Sequence, residues 1–140
     1  MQPVIQEEKT GCAIASVAAI AGVSYQQARR VAAGLGIYAH DSLLWSETDY
    51  IRRLLQAFGI RSASGETAFT GWHALPDCAL LSIKWHMIND RAYWHWVVFV
   101  RENENNYVLD SKASLKNPVR TDFGRIKPKW YIAIEPAGGQ

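Results

Sequence analysis

Apolar and polar positions divide this chain into a helical first half and a stranded second half. The polar lead-in QEEKTG ends at Cys12, and the run CAIASVAAIAG that follows carries Ser16 as its only polar side chain. A stretch with no polar face predicts a helix buried nearly all round, and its alanines let neighbouring elements approach closely. Thr10 or Gly11 is placed to cap this helix and Gly22 to end it. Ser24, with Gln27 three positions on, forms a capping box for a second helix that carries Ala28, Val31 and Ala32 and stops at Gly34 or Gly36. GIYAHDSLLW reads as a surface connection. Ser46 with Asp49 repeats the capping pattern, and Tyr50, Ile51, Leu54, Leu55 and Phe58 keep helical spacing until Gly59.

From Ile60 the pattern changes. RSASGETAFTG reads as a polar loop, GWHALPD as a short turn or helix, and Ala79 to Trp85 as a strand. WHWVVFVR, residues 94 to 101, is the strongest strand signal; ENENN then reads as a hairpin turn into YVLD, and WYIAI, residues 130 to 134, as the last strand. Helices first and strands afterwards predict an α+β fold, with the central Cys12 helix packed on a C-terminal antiparallel sheet and a cleft between the halves.

Composition narrows the function classes. The 140 residues carry a net charge of +2, which demands neither a nucleic-acid nor a membrane partner, and their number suits one domain spanning 1–140. Lys116, Arg120, Arg125, Lys127 and Lys129 make a modest basic cluster that reads as a solvated face. No apolar run approaches the roughly 20 residues of a membrane span. MQPVIQEEK lacks the basic start and apolar core of a secretory signal, so the expected location is cytoplasmic as synthesised, with export left to a signal-independent system. Cys12 and Cys78 make no disulfide framework, and no CxxC or HxxxH pair is present, so neither a metal nor another cofactor is expected.

Candidate chemistry starts at Cys12. A thiol at a helix start lies where unpaired backbone N–H groups and the positive end of the dipole favour the thiolate, which is the nucleophilic form. Cys78, within the apolar LPDCALLSI, reads as a core residue instead. His95 shares a strand face with Val97 and Phe99, while Trp94 and Trp96 point to the other face and are placed to line a substrate groove. Asp110 ends the following strand, where it can hold the His95 imidazole in one tautomer. His86 reads as a loop residue, and His40 and His73 as surface or partly buried.

Gln6, six positions before Cys12, the TGCAIASVAAIAG helix, the HWVVFV strand and the VLDS strand end together resemble the papain-like cysteine peptidases. Within that superfamily the chain is most similar to the C39-like group that processes bacteriocin leaders, over residues 6 to 134. That resemblance implies Cys12 as nucleophile, His95 as general base, Asp110 as orienting acid and Gln6 as a side-chain donor to the oxyanion hole. Ala13 stands where the family often has glycine after the cysteine, and Ser111 where it often has proline after the aspartate. The implied substrate is a peptide or protein, with room for a regulatory or immunity protein partner. A deamidase, an acyltransferase or a toxin-effector domain would use the same groups, and a catalytically silent peptide-binding module would keep only the cleft.

Overall fold

The computed structural model describes residues 1–135. Among these residues three α-helices precede the sheet: α1 (Cys12–Ala21), α2 (Tyr25–Gly34) and α3 (Asp49–Ala57). Every residue of α1 from Cys12 to Ala19 is buried, because the helix packs against α2, α3 and the sheet together. Gly22 ends it in the left-handed region at φ 73°, where a side chain would be strained. Ser24 caps α2 by accepting the Gln27 N–H at 3.1 Å.

The start of α3 differs from the Ser46 expectation. A short 3-10 turn, Ser42–Trp45, occupies the connection read as surface, and it sends Leu44 fully into the core. Asp41 caps that turn through the Leu43 N–H, so α3 begins later, with Thr48 at its N-cap and the Glu47 carboxylate accepting the Tyr50 N–H at 3.0 Å.

Among the described residues six strands form one sheet: β1 (Thr67–Ala68), β2 (Cys78–Ile88), β3 (Arg91–Glu102), β4 (Asn105–Leu109), β5 (Val119–Arg120) and β6 (Trp130–Ala133). Their order is β1-β6-β2-β3-β4-β5, and every neighbouring pair is antiparallel. The β2–β3 hairpin runs further than its sequence pattern suggested and turns at Asn89 and Asp90, both with positive φ. His86 therefore lies inside β2, opposite Tyr93, and not in a loop; a bulge at Ile83 to His86, with Lys84 at φ 52°, hides its alternation.

Both faces of the sheet are covered. Leu80, Trp94, Trp96, Val98, Val100, Leu109 and Ile132 face the helices, whereas Ala79, Leu81, Ile83, Val97, Phe99 and Val108 pack with Leu75 and Ile126 on the other side. Double coverage explains why WHWVVFVR is apolar at nearly every position. Trp94, Trp96 and Trp130 meet edge to face with centroids 4.9–5.5 Å apart, which fills the helix-side layer.

Candidate active site

Three elements converge on His95. It lies in β3, on the face shared with Val97 and Phe99, and the β3–β4 register pairs Val98 with Leu109. One residue beyond that pair, Asp110 emerges on the same face as a diagonal neighbour of His95. Asp110 Oδ1 accepts from His95 Nε2 at 2.8 Å. A carboxylate only accepts, so Nε2 carries the proton and Nδ1 is the nitrogen left for other work. From the helical half, the Cys12 thiol at the start of α1 comes within hydrogen-bonding reach of the same ring.

Electrostatics follow from these contacts. Burial pushes His95 toward its neutral form, yet the hydrogen bonds and charges of Asp110 and Cys12 outweigh it and raise its pKa to about 9. Burial also works against a charged Asp110, whose side chain is 1% exposed; the His95 hydrogen bond and charge, the Lys112 N–H and Arg120 reverse that and lower it to about 2. The site thus favours a protonated imidazole beside an ionised acid across neutral pH.

Arg120 is the residue that the sequence pattern did not reveal. It does not belong to a solvated basic face: its Nη1 donates to Asp110 Oδ2 at 2.9 Å and its side chain is only 17% exposed. The signal was a two-residue strand, too short for alternation to register.

Ser111 is the other. Its Oγ donates to Gln6 Oε1 at 2.9 Å, and its carbonyl accepts the Gln6 N–H at 3.0 Å, so the residue after the acid clasps the segment that leads into Cys12. The Gln6 amide nitrogen donates to the carbonyls of Glu8 at 3.1 Å and Lys9 at 2.7 Å. Both of its protons are thereby engaged within the loop, so Gln6 is tied beside the site and its amide is turned to the backbone.

The loop is braced from behind. Tyr25, 2% exposed, donates its hydroxyl to Glu8 Oε1 at 2.6 Å and leaves no room for a β-carbon on Gly11, the N-cap of α1. Gly11→Ala is expected to displace Tyr25, cost about 1–3 kcal/mol and slow reaction at Cys12. Urea unfolding with parallel thiol labelling checks this, and an unchanged midpoint with unchanged labelling would sink it.

The remaining candidates lie elsewhere. Cys78 opens β2 half-buried, and burial pushes its thiol up to about 12, which makes it a poor nucleophile. His40, His73 and His86 are exposed. Trp96 is fully buried and its Nε1 donates to the Leu44 carbonyl at 2.7 Å, so the structure puts it in the core and not on a groove surface. Trp94 is 7% exposed and belongs to the same layer; its edge borders a shallow cavity of about 550 Å³ beside Trp85 and Trp130. The groove expectation does not hold for Trp96, because alternation assigns two tryptophans to one face without saying what covers that face. No helix of the described residues is long and apolar enough to cross a membrane.

No family model and no curated protein sequence matches the chain. Among solved structures, it matches the crystal structure of a double glycine motif protease from an AMS/PCAT transporter in complex with the leader peptide. The TM-score is 0.56 at 16% identity, over 97% of this chain and 91% of that one. Three helices leading into an antiparallel sheet, with a buried helix opening at Cys12, give this chain the α+β fold of that double glycine motif protease.

Proposed function

We propose that this chain is a cysteine peptidase or closely related amide hydrolase acting on a peptide. The observation that carries the reading is His95 with Asp110 on one side and the Cys12 thiol on the other. In this reading Cys12 attacks the carbonyl carbon as a thiolate and forms a tetrahedral oxyanion. The Cys12 backbone N–H, at the first turn of α1, donates to that oxyanion; Gln6 joins it by swinging its amide off the Glu8 and Lys9 carbonyls. His95 gives its proton to the departing amine, leaving a thioester that water cleaves with His95 as base. Asp110 holds the ring through both steps.

The solved double glycine motif protease that shares the fold is in complex with a leader peptide, which favours a peptide substrate. The test has two parts. Iodoacetamide labelling of the native protein, resolved at Cys12 and Cys78 by peptide mass spectrometry, should show Cys12 reacting rapidly near neutral pH and Cys78 hardly at all. Incubation with synthetic leader-type peptides carrying a Gly-Gly pair should then give two fragments. A small mass gain without a cut would redirect the reading to a deamidase, and a sluggish Cys12 would overturn it.

A further inference from the structure

Asp110 serves two cations, and only one of them belongs to the mechanism above. Its Oδ1 accepts from His95 Nε2 at 2.8 Å and from the Lys112 N–H at 3.2 Å, and its Oδ2 accepts from Arg120 Nη1 at 2.9 Å. Arg120 is itself held. Its Nε and Nη2 donate to the two oxygens of Asp122 at 3.0 and 2.8 Å, and β5 fixes its backbone opposite Val108. The Asp110 N–H donates to the Pro118 carbonyl at 2.8 Å, and Asn117 Oδ1 accepts the Val119 N–H at 2.9 Å, so the return from β4 to β5 is tied at both ends. The guanidinium therefore arrives at the acid already aimed.

We infer that Arg120 is a positioning residue that claims one oxygen of Asp110, offers the other to His95, and limits how strongly the acid holds the imidazolium. The inference rests on the catalytic reading of Cys12, His95 and Asp110. Its physical content is a competition. An ionised carboxylate with one cation beside it stabilises that cation fully; with a second, permanent cation on its other oxygen, the imidazolium feels a smaller net field. A general acid that must surrender its proton to a leaving amine works best when it is not held too firmly. Arg120 would thus set the proton affinity of His95 without touching the substrate, and Asp122, drawing the guanidinium outward, would set how much of its charge reaches Asp110.

The charged groups around His95 are few enough to give the sign. Cys12 faces it from α1 and Asp110 from the end of β4; behind Asp110 stand Arg120 of β5 and Asp122, with Arg125 acting on Asp122. From β2, the residue opposite His95 is the apolar Ile83. Removing Arg120 takes a positive charge from the far side of the acid, so His95 should bind its proton more tightly. Removing the Asp122 charge takes away a counterweight, so His95 should bind its proton less tightly. A residue serving only to brace the fold would not move the two variants in opposite directions.

The experiment is an NMR titration of the His95 ring in the full chain, comparing the native protein with Arg120→Gln, Asp122→Asn and Cys12→Ala. Arg120→Gln should raise the His95 midpoint and Asp122→Asn should lower it, each by about 0.5–1 pH unit, a threefold to tenfold change in proton affinity. Should Arg120→Gln not fold, Asp122→Asn decides alone, because the Asp122 side chain is 41% exposed and its loss leaves Asp110 paired. Shifts in one direction, or no shift in a folded Asp122→Asn, overturn the proposal. Cys12→Ala separates it from the reading beneath it. A His95 midpoint that ignores the loss of the thiol would remove Cys12 from the pair, whereas opposite shifts in the other two variants would still establish the hold of Arg120 on the acid.

Discussion

His95→Ala is expected to reduce peptide cleavage by a factor on the order of 10⁴ or more and to slow alkylation of Cys12 near neutral pH by about tenfold or more, with the fold intact. The imidazole lies beside the thiol, so its loss removes the base of the proposed reaction. Stability should change little, because the ring contributes one hydrogen bond at the margin of the far-side core and is partly exposed. The pH profile gives the second readout. Because His95 is raised above its ordinary 6.5 to about 9, the imidazolium persists through neutral pH, and a rate that needs it should fall as pH rises through about 9. Asp110→Asn removes the charge that supports the raised value, so this basic limb should move down toward 6.5. Rates of cleavage and labelling across pH 5–10 would check both variants; unchanged labelling in His95→Ala would take the histidine out of the mechanism.

How much of this arrangement could be read from the chain depends on the length of the pattern that encodes each piece. The Cys12 helix and the His95 strand are long and strongly patterned, so their existence, type and facing were legible. The diagonal approach of Asp110 to His95 follows from parity once the turn at Asn103 and Glu104 fixes the β3–β4 register. Arg120 and β1 were not legible, because two-residue strands carry no period. Ser111 was visible only as a departure from a family pattern; its grip on Gln6 needs the tertiary approach of two loops. His86 was misplaced because a bulge interrupts the alternation that would have shown it as part of a strand.

The tryptophans expose a different limit of pattern reading, and they carry the largest expected effect on stability. Trp96→Ala should cost about 3–5 kcal/mol, enough to leave a chain of this size largely unfolded or barely stable. Two effects combine. The indole is fully buried between the sheet and the helices and packs edge to face on Trp94 and Trp130, so its removal opens a cavity among rigid rings. Its N–H also satisfies the Leu44 carbonyl in the 3-10 turn that sends Leu44 inward, and that buried acceptor would be left unpaired. Trp96→Phe isolates the second effect: most of the volume stays, the hydrogen bond goes, and the expected loss is about 1–3 kcal/mol. Urea unfolding midpoints measure both, and cleavage kinetics discriminate the roles. A core residue shifts the midpoint and leaves KM in the folded protein unchanged; a Trp96→Phe variant of native stability with a raised KM would return Trp96 to the substrate groove. The difference is physical, because alternation along β3 fixes which side chains share a face, whereas only the packing of α1 and the Ser42–Trp45 turn decides that this face is closed.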